Sequence, residues 1–314
     1  MDGVQSRELL ISVIIPHLDQ LAGLDLCLRS LEAQTLERSR FEIIVVDNGS
    51  ICRPEALISR YPGVRLLHET SPGPGPARNR GARSANGDIL CFIDADCRAH
   101  PDWLAVALRA LRSAPDGTIL GGQVPIWRED ETHYSAIEAY ESIFNYRQQL
   151  HIERHGYSGT GNLVVRRDDF HKAGPFAGIL FAEDMEWGRR ARSAGCNFKY
   201  VPEMIVFHPA RSSLKTLCTQ WDRQIRHALT YARQKPCWRF HWTIRTLAVL
   251  FSPCIHVIRV MTTRRISLSA RLKAAAVLLV IRFYRAWRMV TLLRAPTKGV
   301  LWNRDVAIGG IERE

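Results

Sequence analysis

The run ILCFIDADC at residues 89–97 ends in two carboxylates, Asp94 and Asp96, separated by one small residue. Its apolar part is the pattern of a strand buried on both faces of a parallel sheet, where charged groups have no place. The acids therefore belong at the strand's carboxyl end, where open α/β sheets bind ligands, and an extended chain points positions i and i+2 to one side. Two oxygen donors facing one place suit a hard divalent cation, Mg²⁺ or Mn²⁺, which takes one or two protein carboxylates and completes its shell with phosphate oxygens. The implied ligand is a phosphate ester. For an isolated D-x-D a merely solvated strand end is the plainer alternative, so the neighbouring elements have to decide.

Those elements alternate. Residues 9–15, LLISVII, closed by Pro16, form a predicted strand, and residues 21–34 repeat leucine at helical spacing through Leu24, Leu28 and Leu31. FEIIVV at residues 41–46 repeats the strand pattern and ends in the polar turn Asp47-Asn48-Gly49-Ser50, which sets Asp47 near Asp94. After a short strand at 64–67, SPGPGPARNRG at 71–81 is a Pro/Gly loop entering a helix near Pro76, where helix amides with Arg78 or Arg80 can meet phosphate. A helix over 101–111 and a strand over 118–124 complete a β-α-β-α-β-α-β order. This order predicts an α/β fold, a mostly parallel sheet with flanking helices, across residues 9–125.

Further on, the pattern gives a helix over 134–150 and the Gly-rich YSGTGN at 157–162 ahead of a strand at 163–165. Glycines there let backbone approach a ligand closely. AEDMEWGRRARSA at 182–194 is a helix with acids in its first turn and arginines in its last, stopped by Gly195. The helix dipole accounts for that charge order, but not for two adjacent acids, Glu183 and Asp184, where a carboxylate can project into a cleft. Short strands at 198–201 and 205–207 precede His208.

Of 314 residues, 46% are hydrophobic and 24% charged, an ordinary globular composition. The net charge of +12 is unevenly placed: residues 1–210 hold 23 Lys/Arg against 27 Asp/Glu, residues 211–314 hold 20 against 4. A basic tail of this kind meets something anionic, a membrane surface or a nucleic acid. Eight cysteines without a C-x-x-C read as reduced cytosolic thiols, and the first ten residues lack the pattern of a secretory signal.

Six pieces in order, SVIIP (12–16), EIIVVDNGS (42–50), ARNRG (77–81), GDILCFIDAD (87–96), GNLVVRRDDF (161–170) and EDMEWGRRARSAG (183–195), resemble the family 2 glycosyltransferases. The resemblance implies a GT-A (Rossmann-like) fold over residues 1–210, with a nucleotide half at about 9–125 and an acceptor half at about 126–210, and an inverting, metal-dependent transfer from a nucleotide-sugar donor. It makes Asp184 the general base, Asp96 the ligand of Mn²⁺ or Mg²⁺, and Asp94 a ribose or metal neighbour. Asp47 becomes a nucleobase contact, Arg78 and Asn79 line the donor site, and Pro16 begins the loop near the base. His208 matches a histidine that holds the metal or the diphosphate, and Gly161, Asn162 and Glu183 fall on the acceptor side. Two positions depart from the family pattern: Asp19 stands where Asn is usual, and Cys97 where a further acid is common.

Residues 211–314 form a basic, partly apolar helical extension. Residues 211–235 have apolar helical spacing at Leu214, Leu217, Trp221, Ile225 and Leu229, and two further apolar stretches at 246–258 and 274–281 are interrupted by arginine before reaching a membrane-spanning length. Arg271, Arg282 and Arg285 share a helical face opposite Phe283 and Trp287, the pattern of a helix lying in an anionic bilayer surface. The combined expectation is a glycosyltransferase extending a lipid-linked glycan or another cell-envelope acceptor, peripheral or monotopic on the cytoplasmic face of the cell membrane. Helices docked on the body or on a second subunit are the alternative for the tail. A nucleotidyltransferase is the nearest enzymatic rival, disfavoured by acids placed beyond the nucleotide half. A nucleic-acid-binding protein using the tail is the non-enzymatic one, and no nucleic acid is expected as partner.

Overall fold

A computed structural model of the chain describes residues 11–128, 130, 132–178, 182–264 and 266–294. Residues 9 and 10 of the first predicted strand and residues 295–314 of the extension lie outside the described residues. The chain divides into two units, residues 1–125 with 146–208, and residues 126–145 with 209–314.

The strands are β1 (Ile11–His17), β2 (Phe41–Asp47), β3 (Val64–His68), β4 (Ile89–Phe92), β5 (Arg98–Ala99), β6 (Thr118–Gln123), β7 (Ile126–Trp127), β8 (Leu163–Arg166) and β9 (Asn197–Pro209). All but β7 build the sheet of the first unit, in the order β3-β2-β1-β4-β8-β6-β9-β5. β1 to β4 run parallel, as the alternating pattern requires, and their side chains Ile11, Val13, Ile14, Ile43, Ile44, Leu90 and Phe92 are fully buried. β8 enters antiparallel between β4 and β6, so the sheet is mixed beyond β4. β1 also runs past Pro16 instead of ending there. The Ile14 carbonyl accepts a bond from Ile93 N on the β4 side and the His17 carbonyl one from Asn48 N on the β2 side. Pro16 alternates to the β4 side, where β4 has already ended at Phe92, and its missing N–H costs no ladder bond. The two strands expected at 198–201 and 205–207 are one strand, β9, whose register to β6 jumps from Gly122↔Val201 to Gln123↔Ile205. The bulge takes up Pro202, which has no N–H to offer.

The first unit's helices are α1 (Leu21–Glu32), α2 (Glu55–Ile58), α3 (Pro74–Ser84) and α4 (Trp103–Arg112). The helix expected over 134–150 is broken: α5 (Ala136–Phe144) belongs to the second unit, and α6 (Gln148–Leu150) follows in the first. Asn145 is extended and Tyr146 has φ 46°, a backbone that no helix continues through. α7 (Arg167–Ala173) and α8 (Glu183–Ser193) complete the first unit, α8 ending where Gly195 takes φ 87°.

In the second unit α5 is joined by α9 (Leu214–Ala232), α10 (Trp238–Phe251), α11 (Pro253–Thr262) and α12 (Leu268–Arg294). Ser135 caps α5 and Ser213 caps α9, each in a reciprocal capping box. The core of this unit gathers Tyr140, Leu217, Val260, Ala274, Leu278 and Ile281. No single helix among the described residues is long and apolar enough to cross a membrane; α10 and α11, bent by 41°, pass that test only as a pair. The arginines expected on the lipid side turn inward. Arg271 donates to the Ile266 and Met261 carbonyls, Arg282 reaches His256, and Arg285 stacks 3.6 Å above the Trp221 ring. The face of α12 left exposed is the apolar one, with Leu279, Phe283 and Trp287.

Candidate active site

β4 stops at Phe92, and the next residues fold into a turn in which Cys97 N donates to the Asp94 carbonyl at 3.0 Å. The two acids therefore diverge, against the expectation of an extended D-x-D. Asp94 accepts from Arg78 Nη2 at 2.5 Å, while Asp96 Oδ2 lies 3.6 Å from His208 Nε2. Gly23 of α1 permits this turn, since a Cβ there would come within 3.1 Å of Asp96 Cα. His208 sits near the end of β9, its N–H bonded to the Pro125 carbonyl and its ring stacked at 4.4 Å on Tyr146.

Ligating atoms of Asp96, Cys97 and His208 all lie within 4.8 Å of one another. A carboxylate and an imidazole, both retaining some exposure, fit a divalent cation of the Mn²⁺ type. The Cys97 thiol is fully buried, and burial with the neighbouring Asp96 and Asp94 pushes its pKa well up, so it stays a neutral group that a hard cation does not seek.

α3 and α8 meet at Arg78. Its guanidinium, 3% exposed, donates through Nη1 to Glu183 and through Nη2 to Asp94. Burial alone would lower this guanidinium's pKa, but Glu183, Asp94 and Asp184 outweigh it and hold the group above its ordinary value. Gly75, one turn earlier, makes room: a Cβ there would collide with the Ala177 carbonyl and come 2.7 Å from Glu183 Oε2. Asp184 accepts from the Thr160 hydroxyl at 3.1 Å. Burial raises the Asp184 carboxyl, with Arg78 opposing and Asp94 adding, and burial raises Glu183 in the same way.

Other expected contacts are occupied by the fold. Asn79 donates to the Phe176 carbonyl and accepts from Phe176 N, a two-point clamp on the segment before α8. Asn162 is wholly buried, and its amide accepts from Trp103 Nε1 and donates to the Gln123 and Met204 carbonyls, which ties three segments together. Gly161 faces the site from the start of β8, a Cβ there lying 3.0 Å from Asp94 Oδ2. Asp47 is 3% exposed and closes the turn after β2, accepting from Ser50 Oγ at 2.5 Å and from Gly49 N at 3.2 Å. Asp19 takes φ 51° and accepts from Ile51 and Cys52 amides, tying the β1 loop to the β2 loop. Pro16 lies in β1 directly beside Val46.

Three residues were not anticipated. Thr160 lay in a segment noted only for its glycines, and Tyr146 inside a presumed helix. His17 is buried at the carboxyl end of β1 with both ring nitrogens lacking hydrogen-bond partners, its pKa pushed down by burial against the pull of Asp47 and Asp19. Its placement one residue after Pro16 was the available signal.

Sheet and side chains together define a GT-A glycosyltransferase, with a D-x-D turn at the end of the central strand and an acid-led helix beside it. The family model described as glycosyl transferase family 2 matches residues 12–182, and the chain belongs to that family. The glycosyltransferase AglE of Haloferax volcanii is 31% identical over 207 residues, 64% of this chain and 67% of that protein. A pre-mycofactocin glycosyltransferase of Mycobacterium tuberculosis is 26% identical over 213 residues, and the chain spans 44% of its length. The fold is shared with a solved structure, the mannosyltransferase PcManGT of Pyrobaculum calidifontis in complex with GDP-Man and Mn²⁺, at 17% identity and TM-score 0.60 over 92% of this chain and 88% of that one.

Proposed function

We propose that this glycosyltransferase is inverting, with Asp184 as general base and Asp96 and His208 as the holders of Mn²⁺ or Mg²⁺ beside the diphosphate of a nucleotide-sugar. The observation that carries the proposal is the Arg78 bridge, which ties Asp94 of the D-x-D turn to Glu183, the residue before Asp184. A bound divalent cation supplies Lewis-acid stabilisation of the departing diphosphate. Asp184, kept in orientation by Thr160, takes the proton of an acceptor hydroxyl as that oxygen attacks the anomeric carbon, and burial, which raises its pKa, makes it a stronger base than a solvated carboxylate. No protein nucleophile is required, and one displacement inverts the anomeric centre. Asp47 and His17 end β2 and β1 on the side assigned to the nucleoside. Asp184→Asn is the test: kcat falls by roughly 10²–10⁴, while nucleoside diphosphate affinity is unchanged. Wild-type turnover in that variant refutes the assignment.

The acceptor is a hydroxyl of a lipid-linked glycan or related cell-envelope molecule, met at the cytoplasmic face of a membrane. Exposed Phe240, Ile244, Leu247 and Phe251 of α10 continue into Ile255 and Ile258 of α11 at spacings of three and four, forming one apolar row. Residues 211–294 hold 17 Lys/Arg and one acid, complementary to an anionic lipid surface. These features support peripheral or monotopic attachment through the apolar row and the exposed basic residues, with Arg271, Arg282 and Arg285 committed within the unit.

A further inference from the structure

Tyr146 and His208 both belong to the first unit, and their rings lie 4.4 Å apart with the planes at 29°. The bond from His208 N to the Pro125 carbonyl fixes the backbone and leaves the two torsions of the imidazole to be set by what touches the ring. That orientation matters, because an imidazole nitrogen offers its lone pair in the plane of the ring. A near-parallel neighbour covers one face and leaves the edge open, and on that edge Nε2 lies 3.6 Å from Asp96 Oδ2. A neighbour packed against the edge would block the nitrogen instead.

Tyr146 holds this position at a cost to its backbone. Its φ is 46°, directly after Asn145 in extended conformation. Among the described residues Asp19, Tyr146 and Cys237 are the non-glycines at positive φ. A short aspartate adopts that region readily, whereas a bulky side chain there is an outlier. The Gln148 amide donates back to the Tyr146 carbonyl at 2.8 Å around Arg147, whose φ of −80° and ψ of 56° make a tight turn into α6. Glycine would start that turn without strain, so the turn does not account for a tyrosine. Strain of this kind persists where surrounding structure over-determines the backbone, and it gathers at functional sites.

We infer that Tyr146 is a positioning residue of the metal site: its ring, stacked on His208, holds the imidazole so that Nε2 and the Asp96 carboxylate serve one divalent cation. The inference rests on the assignment of His208 as a holder of Mn²⁺ or Mg²⁺ and adds the group that orients it.

The full chain is titrated with Mn²⁺ alone, the free ion being read by electron paramagnetic resonance, and again with a nucleoside diphosphate present. Tyr146→Leu weakens Mn²⁺ binding by about 10–100-fold, the range for losing a group that orients a metal-bound imidazole. Tyr146→Phe keeps the stacked ring and the parent's affinity. Tyr146→Gly relieves the backbone and still loses the same factor, which a residue present only for the turn would not do. Tyr146→Leu combined with His208→Ala binds no more weakly than His208→Ala alone, because the tyrosine acts through the imidazole. Parent-like Mn²⁺ affinity in Tyr146→Leu and Tyr146→Gly, with affinity lost in His208→Ala, overturns the positioning role and leaves His208 as a metal holder. An additive loss in the double variant, or an equal loss in Tyr146→Phe, also overturns it. If Tyr146→Leu does not fold, Tyr146→Gly decides. Parent-like affinity in His208→Ala removes the metal assignment of His208, and this inference with it.

Discussion

Replacing Arg78 by Met keeps much of the side chain's volume and removes the one cation between Glu183 and Asp94. Removing one partner of a buried ion pair costs about 3–5 kcal/mol, because the remaining charge is left unpaired. Asp94 keeps 34% of its side-chain surface and recovers water, whereas Glu183 keeps 15% and does not, so the lower end applies. A loss of about 3 kcal/mol lowers Tm by roughly 6–12 °C for a unit of this size. The deficit should depend on pH. A carboxyl whose folded pKa is raised contributes stability below its unfolded pKa and loses it as pH rises through the folded one. Burial raises Glu183 already, and without Arg78 nothing opposes that rise. Arg78→Met therefore comes closest to the parent near pH 4 and falls furthest behind above neutrality. Arg78→Lys retains the charge but not the fork, and lies between the two. The assay is thermal melting of parent, Met and Lys variants from pH 4 to pH 8. A Met variant as stable as the parent, or a deficit that does not change with pH, refutes the account of Arg78 as a charge bridge.

Two other outcomes are expected. Nucleoside diphosphate affinity should drop with EDTA and in Asp96→Ala, since the diphosphate and an acidic turn repel without a cation between them; equal calorimetric affinity in all conditions removes the metal role. Phe251→Ser with Ile255→Ser should weaken co-sedimentation with anionic vesicles by well over tenfold, as each apolar side chain contributes about 1.5–3 kcal/mol when buried, and parent-like sedimentation excludes this row as the contact.

Side-chain direction divides what was legible in the sequence from what was not. The strands β1 to β4, the acids after β4 and the charge order of α8 follow from apolar runs, turn residues and the helix dipole, all of which are local. Arg78 and Asn79 share one helix with the expected donor-site character, yet both point to α8 and the segment before it, a choice made by residues about a hundred positions later. The same holds for Asn162, whose three partners come from three other segments. For Arg282 and Arg285 the periodicity identified a shared face correctly but not its orientation, because the stretch is apolar on both sides and either could be turned inward. The extended D-x-D failed for a local reason: the bond from Cys97 N to the Asp94 carbonyl curls the chain one residue after the strand ends.

The antiparallel insertion of β8 also has a temporal meaning. The edge of β4 that β8 covers belongs to the fully apolar ILCF segment, and its partner, starting at Leu163, leaves the ribosome about 70 residues later. At ordinary synthesis rates that is roughly 4–14 s during which a hydrophobic strand edge has no native partner. Unprotected edges of this kind recruit other strands. The nascent chain thus carries an apolar strand edge without its native partner for an interval set by where one short strand falls in the sequence.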